Sequence, residues 1–560
     1  MKSLWAELRP LLRQLVVFSF VINLLFIVPA LFTLQVFDRV IPTNSMDTLV
    51  VLLLGVGVAL AILFVLDYVR LRMQHLIGNI VEERLSPPVV NAVVAAAARA
   101  PQGARTDAIK DVASLRSLFS ANGLTALIDA PWLLVYVGVI AAFHPALGWG
   151  AAAAAALMLG LTWLNDRFSR KGLENLQKEG RRAARYVEGS LRNAEVLQAM
   201  GMTERLLQRW QRLQDEILYM QTDSSRTSVM FTALTRLVRQ GVQVMMMAIG
   251  AYLVLTQQAS AGVMIASTIL LGRALQPVEQ VVGSWRVLND ARAAYHRLRE
   301  LAKHFDTAEE RLALPRPEGR VVVDAVSFRP PGSDKLTLVG VALSLEPGEA
   351  LAVIGPSAAG KSTLARLLTG IWEPTAGTVR LDGTDISTWP RHEIGPWIGY
   401  LPQDVELFDG TVAENIARLA ELDSQAVVAA AKRANAHDMI VQLPQGYDTP
   451  IGDQGGRLSP GQRQRVALAR AVYGDIRLLV LDEPNASLDG EGEIALARAL
   501  SGLRAEGVTS IVVTHRPSLI AHVDKILVLD AGRVKQFGTA AEVMKTMQKQ
   551  AQADLSARAA

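Results

Sequence analysis

The 560-residue chain contains no cysteine. That excludes a disulfide framework and any thiolate metal site. Its eight histidines are scattered without metal-ligand spacing, and no stretch interleaves aromatic with basic residues as a nucleic-acid platform does. Aromatics make up only 6% of the chain, and 57 basic against 53 acidic side chains leave a formal charge of just +4. Charge is missing altogether from Leu49 to Leu66. An uninterrupted apolar run of that length argues against a bundle of soluble core helices.

What the chain has instead is apolar surface. Half its residues are hydrophobic and the mean hydropathy is +0.24, with the excess lying before residue 285. Segments near 15–37, 49–66, 125–143, 146–164, 230–254 and 261–279 each approach the roughly 20 apolar residues of a bilayer crossing, so six crossings are expected. A tight turn at His144-Pro145 and another over Thr256–Ser260 make the third with the fourth, and the fifth with the sixth, helical hairpins. The first segment is too long for a signal peptide and lacks a small-residue cleavage site. The two long loops carry Arg70, Arg72, Arg84, Lys110 and Arg116, then Arg167, Arg170, Lys171, Arg181, Arg182 and Arg185, whereas the opposite loops have only Arg39. The positive-inside rule therefore puts both termini in the cytoplasm, and the pI near 9.2 reads as basic residues facing anionic membrane lipids. Arg236, Arg239 and Arg273 stand inside or at the edge of the last two segments, where charge is costly and tends to face a pathway. The first two fit a cytoplasmic helical extension equally well.

The second half carries chemistry. Gly355, Pro356, Ser357, Ala358, Ala359, Gly360, Lys361 and Ser362, continued by Thr363, form a Gly-rich loop between an apolar strand (350–354) and a helix. In such a loop backbone N–H groups turn toward one anion, the Lys reaches the outer phosphates of a nucleotide and the Ser hydroxyl can ligand Mg²⁺. A second apolar run, 478–481, delivers Asp482 and Glu483 at its carboxyl end, where open α/β sheets place ligands. Asp482 suits Mg²⁺ and Glu483, one residue on, suits polarising an attacking water.

Leu458-Ser459-Pro460-Gly461-Gln462 resembles the signature of ATP-binding cassette (ABC) proteins. Further matches follow in the family's order: Gln403, Gly452–Gly456, Ser487-Leu488-Asp489 and His515, so that the resemblance covers about Val321 to Phe537. It implies that ATP is bound and hydrolysed, that Ser459, Gly461 and Gln462 act in trans on the triphosphate held by a second copy, and that Asp489 belongs to the nucleotide-binding set. It also implies that Gln403 senses Mg²⁺ and the membrane domain and that His515 contacts the γ-phosphate. Two positions depart from the pattern. Pro460 replaces the usual Gly and removes one backbone N–H from the signature turn, and Pro330 stands where an adenine-stacking aromatic is expected, leaving Pro330, Phe328 or an apolar neighbour for that role.

The resemblance implies a multi-domain membrane protein, a six-helix all-α ABC exporter transmembrane domain joined to an α/β P-loop nucleotide-binding domain. The expected boundaries are 1–300 for the membrane domain with long helical cytoplasmic loops, 301–317 for a linker, 318–545 for the cassette and 546–560 for a polar tail that frays. Coupling helices are expected at about 107–119 and 193–205. A cassette with a complete Walker set and a complete signature makes a homodimer the simplest assembly.

Leu115–Phe119 followed by Gly123–Trp132, and Arg192–Met202, are similar to segments of type I secretion transporters, the latter to their protease and lipase exporting branch. This resemblance implies export of an unfolded polypeptide with an uncleaved C-terminal signal across the bacterial inner membrane, with a periplasmic adaptor (membrane fusion protein) and a TolC-type outer-membrane channel as partners. The few residues before the first crossing lead to the expectation that leader-peptide cleavage is no part of the task. Two other classes share this cassette chemistry: an ABC exporter of lipids or small molecules, and a membrane-anchored ABC ATPase that transports nothing.

Overall fold

The computed structural model describes residues 2–99, 107–120, 122–191, 193–303, 314–452, 455–485 and 490–559. The chain forms two compact units, Met1–Ala95 with Ala104–Thr307, and Ala96–Gly103 with Ala308–Ala560.

The described residues of the first unit form helices joined by short turns. Its helices are α1 (Lys2–Leu25), α2 (Val28–Gln35), α3 (Met46–Arg99), α4 (Asp107–Ser120), α5 (Asn122–Asp129), α6 (Trp132–Phe143), α7 (Pro145–Leu191), α8 (Ala194–Ala199), α9 (Thr203–Leu255), α10 (Ala261–Gly283) and α11 (Trp285–Lys303). Helices α3, α7 and α9 have 54, 47 and 53 residues. At 1.5 Å per residue each runs for about 70–80 Å, more than twice a hydrocarbon core, so the long loops are continuations of the crossings themselves.

Among the described residues five stretches are long and apolar enough to cross a membrane: Trp5–Thr43, Met46–Arg99, Pro145–Ser169, Val229–Leu255 and Ala261–Val281. The third predicted crossing is different. It is split at Ala130-Pro131 into α5 and α6, and α6 alone has 12 residues. Pro131 offers no N–H, and the ladder resumes through short-range bonds, Leu133 N to Ala130 O (3.2 Å) and Leu134 N to Pro131 O (3.2 Å).

Helix α4 coincides with the first segment expected to be a coupling helix, and its buried face, Ala108 and Val112, packs on Val89, Val93 and Leu298 inside the first unit. Arg297 also clamps Asp111 at 2.8 and 2.5 Å. Within the second assigned segment, α8 forms one short helix between α7 and α9.

The second unit pairs two sheets. Strands β1 (Val321–Phe328), β2 (Leu338–Leu345), β4 (Ala376–Leu381) and β5 (Thr384–Asp385) form an antiparallel sheet in the order β2-β1-β4-β5. The other contains β3 (Ala350–Ile354), β6 (Ile398–Leu401), β7 (Leu478–Asp482), β8 (Thr509–Val513), β9 (Lys525–Asp530) and β10 (Arg533–Thr539), in the order β10-β9-β3-β8-β7-β6. All neighbours in it are parallel except the edge pair β9–β10. Every residue of β3, β7 and β8 is buried, as continuous apolar runs covered on both faces require.

Three helices matter for the site: α12 (Lys361–Leu368), α13 (Pro460–Ala471) and α14 (Gly490–Ala505). The polar tail expected from 546 falls within α15 (Ala540–Ala559). Its run of Ala, Gln, Lys and Met has strong helix propensity, and Glu542 accepts from Thr539 Oγ1 (2.8 Å) at its start.

Candidate nucleotide site

Parallel order brings the site together. Strands β3, β8, β7 and β6 are neighbours in that order, so the residues just past their carboxyl ends share one edge: Gly355, His515, Glu483 and Gln403. Between β3 and α12 the Gly-rich loop turns back on itself. Gly355 has φ 154° and a Cβ there would lie 2.1 Å from Leu529 O; Gly360 has φ 96° and its Cβ would meet Leu338 Cδ2 at 2.6 Å. No other residue type fits either position. Ala358 also adopts φ 64°, and such alternation turns successive N–H groups inward as an anion nest.

Lys361 is buried, and its Nζ donates to Gly355 O (2.8 Å) and Pro356 O (3.0 Å). The amine is thus parked over the loop that would hold the phosphates. Ser362 follows in the first turn of α12, with Thr363 beside it; Ser357 and Ala359 complete the loop.

Asp482 ends β7 at 2% exposure, and its Oδ1 has no hydrogen-bond partner. Burial pushes its carboxyl above the usual range and the Glu483 charge adds to this, while a Ser362 hydrogen bond and the charges of Arg366 and Lys361 oppose it. A buried carboxylate oxygen left without a donor is costly. The cost vanishes if a cation meets it, so Asp482 and Ser362 fit Mg²⁺.

Glu483 is held in place by its surroundings. Its backbone is left-handed at φ 50°, a strained state for a non-glycine residue, and its N–H donates to Val513 O (3.0 Å). Gln403 Nε2 donates to its Oε2 at 3.1 Å, and His515 Nε2 lies 3.9 Å from Oε1. Two residues from the ends of β6 and β8 therefore converge on the carboxylate at the end of β7.

The signature heads α13. Ser459 is the N-cap of a capping box: its hydroxyl accepts from Gln462 N (3.3 Å) while its N–H donates to Gln462 Oε1 (2.9 Å). Pro460 occupies the first helical position, where its missing N–H removes no helix bond and its fixed φ suits the helix. The turn still presents the Ser459 hydroxyl and the Gly461 N–H. No hydrogen bond or ion pair among the described residues joins Ser459–Gln462 to the Gly-rich loop. Asp489, with Ser487 and Leu488, lies outside the described residues.

Phe328 is not free to stack on a base. It is 5% exposed and lies flat on Trp372, with centroids 4.9 Å apart and planes at 12°, and Arg366 covers that Trp at 4.7 Å. Gln464 was missed in the sequence: its side chain donates to Pro484 O, tying the signature helix to the loop after Glu483. A glutamine inside an amphipathic helix gives no sign of a partner 20 residues away.

Two family models match this chain, the ABC transporter over residues 338–486 and the ABC transporter transmembrane region over residues 13–278. The type I secretion system ATP-binding protein PrsD of Rhizobium meliloti is 42% identical over 94% of this chain and 91% of its own length. The cyclolysin secretion/processing ATP-binding protein CyaB of Bordetella pertussis is 29% identical over 95% of this chain and 75% of its own. An ATP-dependent lipid A-core flippase of Saccharophagus degradans is 32% identical over 69% and 65%. A bacterial Atm1-family ABC exporter solved with ATP bound superposes with a TM-score of 0.83 at 24% identity, over 99% of each chain, and shares the fold. A buried P-loop sheet with its acids at the strand ends, fused to helices of membrane-crossing length and matched almost end to end by PrsD, makes this chain a multi-pass membrane ATPase of the ABC transporter family, in its type I secretion group.

Proposed function

We propose that the chain energises export of an unfolded polypeptide bearing a C-terminal secretion signal, as the inner-membrane component of a type I secretion system. What supports this is the 42% identity to a type I secretion ATP-binding protein across 94% of the chain. The working unit is a homodimer with cytoplasmic termini, served by a periplasmic adaptor and a TolC-type channel.

ATP is the substrate of the cassettes. The loop from Gly355 to Thr363 cradles its phosphates, with Lys361 leaving its own carbonyls for the outer ones. Ser459, Gly461 and Gln462 of one copy close on the triphosphate of the other, so donors at the α13 N-terminus complete the site only when the dimer shuts. Glu483 takes the proton of the attacking water, Gln403 and His515 hold that carboxylate in register, and His515 contacts the γ-phosphate; Asp489 belongs to the same set. Mg²⁺, held by Ser362, Asp482 and Gln403, neutralises charge on the phosphate oxygens when bound.

Mixed dimers test the shared sites. A Ser459→Ala chain paired with a Lys361→Ala chain retains one intact composite site and about half the turnover of wild type, whereas each homodimer is inactive. No rescue in the mixture would overturn action in trans. Export is tested in reconstituted vesicles: a C-terminal secretion peptide should stimulate hydrolysis. The flippase likeness sets the rival outcome, stimulation by phospholipid with indifference to the peptide, which would make the chain a lipid exporter.

A further inference from the structure

The broken third crossing encloses a polar cavity that the ATP chemistry does not use. It has a volume of about 240 Å³ and is lined by Asp67, Arg70, Asp129, Tyr136, Arg273 and Gln276 among others. At about 30 Å³ per water that is room for roughly eight waters, or one acidic side chain and its neighbouring backbone. Arg273 stands on α10 about 18 Å along the helix from Ala261, within hydrocarbon depth.

The two acids of this cavity are already engaged. Asp129 Oδ1 accepts from Ser19 Oγ and from Asn23 Nδ2 (2.7 Å), and its Oδ2 accepts from Arg70 Nη1 (3.2 Å). Asp67 Oδ1 accepts from Arg70 Nη2 at 2.6 Å. The donors are not all engaged. Arg70 is 7% exposed, and its Nε meets no hydrogen-bond partner. Arg273 rests on the Phe26 ring at 4.2 Å and donates only to neutral Gln276 (3.1 Å), and no salt bridge among the described residues includes it. Arg239, by contrast, is matched by Glu279 at 3.4 Å.

The formal charges balance, two cations against two carboxylates, so the surplus is in N–H groups. A surplus of guanidinium donors facing one cavity, Arg70 buried and Arg273 half-buried, calls for an oxygen acceptor. We infer that this cavity is an acceptor-binding site for the polypeptide in transit, in which Arg273 and Arg70 Nε donate to an oxygen of the passing chain, either a side-chain carboxylate or a main-chain carbonyl. The inference rests on the polypeptide-export reading. Arg70 is fixed by its two aspartates and acts as the anchored half of the site; Arg273, held by an aromatic face and an amide, is the half that turns to the ligand.

The test uses the full chain in nanodiscs of neutral lipid and two fluorescent Gly-Ser peptides, one bearing glutamates and one bearing glutamines at the same places. Arg273→Gln should weaken binding by about tenfold, and Arg273→Lys should recover part of it. Loss confined to the glutamate peptide identifies a carboxylate as the acceptor; equal loss for both identifies main-chain carbonyls. Binding that ignores Arg273 overturns the site alone. No binding of either peptide to the wild-type chain overturns the polypeptide reading with it.

Since the chain has no cysteine, a second measurement stands even if Arg273→Gln fails to fold. Gln276→Cys should form a mixed disulfide with a peptide carrying a pyridyl disulfide, and excess unlabelled peptide should suppress it. Leu134→Cys, 74% exposed on α6, is the control. Labelling at 276 no greater than at 134 overturns the site.

Discussion

The cassette and the membrane unit obey one rule with opposite solvents. In the cassette the apolar runs β3, β7 and β8 are wholly buried, and charge collects at their exposed ends. In the membrane unit the most apolar window of α3 has none of its residues buried, with Leu54 66% and Phe64 71% exposed, while Ser19, Asn23, Arg70, Gln74 and Asp129 lie inside. The free energy follows the solvent: each unit turns outward what its surroundings dissolve. Polarity in the interior therefore means different things in the two units. At Asp482 it leaves a buried carboxylate oxygen without a donor at a strand end, and at Asp129 it ties α1, α3 and α5 together across a gap in the bundle.

The comparison breaks most sharply at Glu483. Glu483→Gln should lower turnover by about 10²–10⁴-fold while ATP stays bound, read as phosphate release against retained nucleotide; near-normal hydrolysis would sink the general-base assignment. Next come two leucines of similar hydrophobicity. Leu479→Ala, at 0% exposure in β7, should cost about 2–5 kcal/mol in denaturant unfolding, whereas Leu54→Ala on the outer face of α3 should cost less than about 1 kcal/mol, having no packed cavity to leave. Equal losses would mean that α3 is covered by protein.

Asp129→Ala strands Ser19, Asn23 and one arm of Arg70, and should destabilise the membrane unit by about 3 kcal/mol in a detergent melt. A loss no larger than that of Leu54→Ala would remove the polar tie from the account. At Asp482 the carboxyl is raised on folding, so its ionised form weakens the folded state. The penalty is absent below the unfolded carboxylate value, grows as pH climbs toward the raised one and is complete above it. Asp482→Asn should therefore raise the melting temperature of nucleotide-free protein at neutral pH while abolishing turnover; a fall in melting temperature would contradict the sign. The smallest effect is expected at Pro460→Gly, which restores one N–H but loosens the first turn of α13 by up to about 1 kcal/mol.

How much of this was legible depended on whether a backbone demand shows in residue type. Gly355 and Gly360 announce themselves because only glycine avoids Leu529 O and Leu338. Helices α3, α7 and α9 were legible as crossings with long extensions, since periodicity and charge persist past the apolar windows. Other features were hidden. Pro131 was visible, but that it would split the third crossing depended on Asp129 and its partners filling the gap. The periodicity of 107–119 marked a buried face, but that Val89, Val93 and Leu298 cover Ala108 and Val112 was not legible, because an amphipathic pattern names a buried face without naming what covers it. Phe328 likewise looked free until Trp372 stacked on it.

By itself the sequence determined the chemical groups: a Gly-rich loop after a buried strand, an acid pair at a strand end, a signature that caps a helix, and apolar segments of membrane length. These follow from local physics, in which a few consecutive residues set the backbone, the capping and the solvent preference. The tertiary structure decided which groups meet. Strand order placed Gln403 and His515 on Glu483, and helix packing gave both acids of the membrane cavity to Arg70 and left Arg273 with neutral partners. Partnership between residues so far apart in the chain is set by the closing of the fold, which no local pattern encodes.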